Sequence, residues 1–226
     1  MERTEGATLP RISIIYYTDP LCCWSWAFEP HRLRLQKEFG RRISWRICMG
    51  GLLPAWRHFS DPEQMVSRPL HMGPVWMQAG EVGGVPIQHR IWKEDPPASS
   101  YPACIAVKCA GLQSEEAAAS YLHILQQAVM LKGINISRIE ALSGLAAELQ
   151  QIYPSFNLPQ FMQDLTNERG IDAFRKDLAE VNARGIHRFP SLLIKGYDGR
   201  SFLLSGYRTF DDIVASIPFF RSAVLP

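Results

Sequence analysis

Strand-forming sequence occurs only at the two ends of this chain, and that division limits the folds open to it. Residues 11–18, RISIIYYT, form a continuous β-branched and aromatic run that reads as a buried strand. Asp19-Pro20 breaks it. Over residues 22–39 the apolar stripe Trp24, Phe28, Leu35 and Phe39 has helical spacing, and Gly40 ends the helix. Pro30, inside that stretch, removes one backbone bond and predicts a kink. Residues 42–49 then alternate, with Ile43, Trp45, Ile47 and Met49 on one face. Strand, helix, strand over this length is a βαβ unit with parallel strands. At the other end, SLLIK (191–195) and SFLL (201–204) flank Asp198-Gly199, a hairpin signal. Thr209 with Asp212 starts a last helix that stops near Pro218.

Between these ends the sequence is helical. Residues 50–97 carry Gly, Pro, Met and Trp (Met65, Met72, Trp76, Met77), a pattern of short helices between breaks. Core packing is the ordinary use of Trp76 and Met77, with a peptide groove as the alternative. Pro102 suits the first turn of a helix reaching Leu112, and Ser114 precedes a second. Ser137 with Glu140 predicts a capping box for a third, Pro159 opens a fourth, and a fifth carries Ile171, Phe174, Leu178 and Val181. Neither end has strands enough for a sheet. The expected architecture is therefore α/β: a four-stranded mixed sheet built from residues 1–60 and 176–226, with an all-helical subdomain, 61–175, inserted.

Composition narrows the function classes. The 226 residues are 46% apolar and 20% charged, with net charge +2, so no electrostatic footprint for nucleic acid or an anionic membrane is present. No apolar run approaches the roughly 18 residues of a membrane span. The N-terminus, MERTEGATLPR, lacks the apolar core of a signal peptide, and a cytoplasmic location is expected. Five cysteines make an odd number without a disulfide-framework spacing. Cys104 and Cys109, five apart on a helix, point different ways. No second Cys or His pair has zinc-ligand spacing, so no metal is expected. The glycines Gly83-Gly84 do not sit in a phosphate-binding pattern. Six histidines are scattered, and His187, near Pro190, is the best-placed partner for a cysteine.

Cys22 stands where strand gives way to helix, in Asp-Pro-Leu-Cys-Cys-Trp-Ser-Trp. Unpaired N–H groups and partial positive charge at a helix start stabilise a thiolate, the reactive form, so a lowered pKa is expected there. Ser25, one turn on, is placed to donate a hydrogen bond to it. Free cysteine is equally an ordinary small core residue, and position alone leaves both roles open.

Asp19, Pro20, Cys22, Trp24 and Trp26, together with Phe189-Pro190 just before the strand SLLIK, give a more specific comparison. The chain resembles the DsbA family of thioredoxin-fold proteins, especially its cytosolic FrnE-like branch, whose motif is of the type Asp-Pro-x-Cys-x-Trp-Cys. The resemblance spans nearly the whole chain and implies a thioredoxin-like βαβ…ββα fold with the helical insertion. It also implies a cis bond at Pro190, which lacks an N–H to compete for the thiolate. On it, Cys22, Ser25 and Pro190 are the catalytic candidates, and Cys23, Trp24 and Phe189 the substrate-contacting ones.

Ser25, however, replaces the family's second, resolving cysteine, and serine cannot expel a mixed disulfide. Cys23 is adjacent to Cys22, where normal disulfide geometry is difficult. Cys48, Cys104 or Cys109 can resolve Cys22 only if the fold brings one close. Three readings follow. In the first, Cys22 is a monothiol reductase or isomerase acting on a protein or small thiol–disulfide substrate, with no bound cofactor and glutathione as co-substrate. In the second, the fold is a protein-binding adaptor, as in a cytosolic branch that delivers a transcription factor to a protease. In the third, it resembles the kappa-class glutathione transferases and hydroxychromene carboxylate isomerases, which use serine at the helix start; Ser25 comes a turn late for that role.

Overall fold

A computed structural model describes residues 12–220; the polar N-terminus read above lies outside them. The four strands are β1 (Ile12–Thr18), β2 (Ile43–Met49), β3 (Ser191–Lys195) and β4 (Ser201–Ser205), ordered β2-β1-β3-β4. β1 pairs in parallel with β2, Ile12 opposite Ile43, and antiparallel with β3, Ile14 opposite Ile194; β3 and β4 form the antiparallel hairpin. The sheet is therefore closed from both ends of the chain, as a thioredoxin-like fold requires.

β1 is interior to the sheet and covered on both faces, which is why its sequence is apolar apart from Ser13 and Thr18. Its side chains divide with the strand period of two. Ile12, Ile14 and Tyr16 enter the main core with α1 (Cys23–Phe39) and the helical block, while Ile15 and Tyr17 pack with Cys48, Val181, Ile186 and Leu193 on the opposite side. The block comprises α2 (Met72–Gly83), α3 (Ile91–Glu94), α4 (Tyr101–Gly111), α5 (Glu115–Lys132), α6 (Ile139–Ile152) and α7 (Leu158–Thr166). It leads into α8 (Glu168–Ala183), and α9 (Phe210–Ser216) follows β4. One continuous core joins block and sheet. Trp76 is fully buried in it, its ring edge-on to Trp92 at 5.0 Å. Trp76 is thus core, and only Met77 of that pair is exposed. Among the described residues no helix is long and apolar enough to cross a membrane.

Caps followed local chemistry, with one correction. Ser114 accepts from Ala117 N, Asn157 from Gln160 N, and Thr209 forms a full capping box with Asp212. The box expected at Ser137 and Glu140 does not form. The Ser137 hydroxyl donates instead to Asn135 Oδ1 at 2.6 Å, and α6 begins one residue later than expected, after Arg138, without a side-chain cap. The nearer amide oxygen takes the hydroxyl before the helix can.

One buried ion pair joins the block's end to the sheet. Asp177 on α8 accepts from Met49 N at 2.7 Å and pairs with Lys108 of α4 at 2.9 Å, with both side chains largely buried. Removing one partner strands the other charge and a backbone N–H away from water. Asp177→Ala is expected to destabilise the protein by about 3 kcal/mol in urea unfolding; a loss below about 1 kcal/mol would show that water compensates both groups.

Candidate active site

β1 ends at Thr18, and the next residues decide where Cys22 lies. Asp19 is fully buried, and its carboxylate accepts Leu21 N (2.8 Å), Leu52 N (2.7 Å), the Ser100 hydroxyl (2.8 Å) and the Cys104 thiol (3.3 Å). Its carbonyl accepts Cys22 N at 3.0 Å. A single carboxyl thereby ties the end of β1 to the loop after β2 and to the start of α4. Burial raises the Asp19 pKa, and the four donated bonds oppose that rise.

Held in this way, Cys22 is the N-cap of α1, in extended conformation, and its carbonyl accepts Ser25 N and Trp26 N. Its thiol donates to Phe189 O at 3.4 Å. Phe189 belongs to the loop before β3, and the Phe189–Pro190 peptide is cis. The Phe189 ring fills the space beside Gly50, where an added Cβ would come within 2.1 Å of it. Glycine at that position therefore lets the two loops meet at the cysteine.

The ionisation of Cys22 differs from the expectation. Only 5% of the residue is exposed, and burial pushes its thiol up to about 11, with the Asp19 carboxylate adding a smaller upward push. The Ser25 side chain and the Ser25 and Trp24 backbone amides act downward but do not win. The helix start offsets part of the desolvation; it does not produce a resting thiolate. Ser25 Oγ, fully buried beside the thiol, has no hydrogen-bond partner. It is a donor positioned before the charge that would use it exists.

The other cysteines are spent elsewhere. The Cys23 thiol turns to Val75 O, Cys48 to Asp177 O and Cys104 to Asp19, and all five cysteines are free and buried. Trp24 is half-buried against Tyr207, ring centroids 5.9 Å apart. His187 lines the same cavity, but the thiol of Cys22 is bonded to a carbonyl and not to a histidine. Cys22, Cys23, Trp24 and Phe189 line one open cavity of about 770 Å³. Its walls are the 50–66 segment, the 186–189 loop and the turn after β4. Sequence reasoning missed Asp19 as an organiser, Gly50 as the slot for Phe189, and Glu63 and Arg188 on the cavity walls. The Gly-Gly pair directly after β2 was the one available signal.

Because the thiol is protonated at rest, alkylation of Cys22 is expected to rise about tenfold per pH unit from 7 to 10, following the thiolate fraction. A rate already level at pH 7 would contradict the burial argument. Ser25→Ala removes the waiting donor and is expected to slow alkylation roughly tenfold at pH 8.

The comparisons with known proteins agree with this geometry. The chain is 28% identical over 182 residues to the ClpXP adapter protein SpxH of Halalkalibacterium halodurans, covering 80% of this chain but only 58% of that protein's length. A putative protein disulfide isomerase from Nitrosomonas europaea superimposes with a TM-score of 0.75 at 20% identity, over 91% of this chain and 95% of that one. The cytosolic disulfide reductase DsbM from Pseudomonas aeruginosa gives 0.66 at 21%, over 85% and 89%, and has also been solved with GSH. A family model described as thioredoxin matches residues 16–214, which takes in the end of β1, the Cys22 turn, the whole helical block and the cis-proline loop, and the chain belongs to the thioredoxin family.

Proposed function

We propose that this protein is a DsbA-like thiol–disulfide oxidoreductase of the FrnE-like type that works as a monothiol through Cys22, with glutathione or another small thiol completing its cycle. One observation carries the reading: the Cys22 thiol, at the start of α1, points to Phe189 O beside cis-Pro190 on the wall of an open cavity. Ser25 holds the place where a resolving thiol would stand, and its unpartnered hydroxyl supplies a hydrogen bond in place of a sulfur.

The chemistry divides into two exchanges. The Cys22 thiolate attacks one sulfur of a substrate disulfide, forming a mixed disulfide and releasing the other sulfur as a thiolate. An external thiolate then attacks the mixed disulfide, regenerating Cys22 and carrying the second sulfur away. A second external thiol frees that sulfur from its new disulfide, so two external thiols supply the two electrons and leave as their own disulfide, which suits a reducing compartment. The neutral resting thiol keeps Cys22 slow at neutral pH, and its small thiolate fraction is the species that attacks. Cys23, Trp24 and Phe189 are the substrate neighbours in this reading, and Pro190 keeps the Phe189 carbonyl beside the sulfur.

The SpxH relationship favours a second reading, a protein-binding adaptor that keeps the fold without turnover. It rests on 80% of this chain and little more than half of the relative. A transferase or isomerase reading is weaker, because Ser25 is buried beneath the cavity and the helix start is a cysteine. Turnover separates the readings. With 2-hydroxyethyl disulfide, glutathione and a coupled glutathione reductase, wild-type protein is expected to consume NADPH, and Cys22→Ser to lose that activity entirely while Cys109→Ser, outside the cavity, retains it. Equal background consumption by wild type and Cys22→Ser would favour the adaptor.

A further inference from the structure

The cavity over Cys22 has its own charge arrangement. Its carboxylates are Asp61 and Glu63 and its guanidinium groups Arg188 and Arg208, among the described residues that line it. Asp61 is turned back into its own loop, where its side chain accepts Gln64 N and its backbone bridges Val66. Arg208 donates to its neighbour's carbonyl, Tyr207 O. Glu63 and Arg188 differ, because they pair with each other across two walls of the cavity, the 61–66 turn and the loop before β3. Both side chains are more than 60% exposed.

Arg188 is the residue next to Phe189, whose carbonyl holds the Cys22 thiol at 3.4 Å. Adjacent residues lie about 3.8 Å apart along the backbone. The Arg188 backbone therefore stands one residue from the carbonyl that holds the reacting sulfur, and its exposed guanidinium lies further out on the same cavity wall. A guanidinium fork matches a carboxylate, and Glu63 demonstrates that a carboxylate reaches this one. Exposed ion pairs of this kind are weak and exchangeable. Glu63 can thus give way to a carboxylate brought by a ligand.

We propose that Arg188 is the anchor for a carboxylate of a low-molecular-weight thiol or disulfide reacting at Cys22, and that Glu63 occupies this anchor at rest as an internal competitor. The inference rests on the monothiol reading and adds the substrate class to it: low-molecular-weight sulfur compounds carrying a carboxylate, glutathione among them. The step it assists is a balanced exchange. The Cys22 thiolate attacks one sulfur of oxidised glutathione, a Cys22–glutathionyl bond forms, and the original S–S bond breaks. The electron pair leaves on the second glutathione, which takes a proton from water.

Rates of mixed-disulfide formation at Cys22 test this, using anionic oxidised glutathione, neutral 2-hydroxyethyl disulfide and cationic cystamine. Arg188→Gln is expected to slow the reaction with oxidised glutathione about tenfold and leave the neutral disulfide unchanged, which also shows that the variant is folded. Glu63→Gln is expected to speed the glutathione reaction several-fold, and to have no effect when Arg188→Gln is already present. If the three disulfides respond alike to Arg188→Gln, or Glu63→Gln has no charge-selective effect, the anchor is refuted while the monothiol reading stands. If wild-type Cys22 reacts with none of them, the monothiol reading falls and takes the anchor with it.

Discussion

The buried carboxyl of Asp19 is the interaction on which the rest of the site depends. It receives four donors from three separate stretches of chain: the turn after β1, the loop after β2 and the start of α4. Without it, the backbone N–H groups of Leu21 and Leu52 would lose their acceptor, a cost of about 1–3 kcal/mol for each such group. The sheet and the helical block each have apolar reasons to fold. Their relative placement at Cys22, however, is set by polar bonds that converge on one side chain. The same carboxyl disfavours a thiolate at Cys22, so the group that builds the site also restrains its chemistry.

That restraint explains how a cysteine at a helix start can be quiet. Desolvation and the Asp19 charge oppose ionisation, while Ser25 and the first amides of α1 favour it. In the neutral state the thiol donates to Phe189 O and the Ser25 hydroxyl is unsatisfied. In the ionised state the thiol's donor is lost and the hydroxyl gains an acceptor. The neutral site thus holds a buried hydroxyl that would gain an acceptor if the thiol ionised.

The sheet and the order of elements were legible in the sequence because each depends on local signals, whereas the cis bond at Pro190 was expected from the family resemblance alone. An unbroken apolar run marked β1, Asp198-Gly199 marked the hairpin, and Thr209 with Asp212 marked the last cap. Local signals also misled. Ser137 and Glu140 have capping-box spacing, but Asn135 lies nearer to the hydroxyl. The reading of Cys22 as an acidified thiol considered the helix start and could not include burial, which depends on how the 50–66 segment and the cis-proline loop pack around it. The pairing of Glu63 with Arg188 joins residues 125 positions apart and leaves no periodic trace in the sequence.

Whether Cys22 acts alone is tested most directly by intact-mass analysis with peptide mapping after incubation with oxidised glutathione. The expected result is one glutathione per chain, removable by a reducing thiol and located on Cys22, with Cys23, Cys48, Cys104 and Cys109 unmodified. An internal disulfide involving Cys22 would identify a resolving cysteine and contradict the monothiol account, as would a stable adduct confined to any other cysteine.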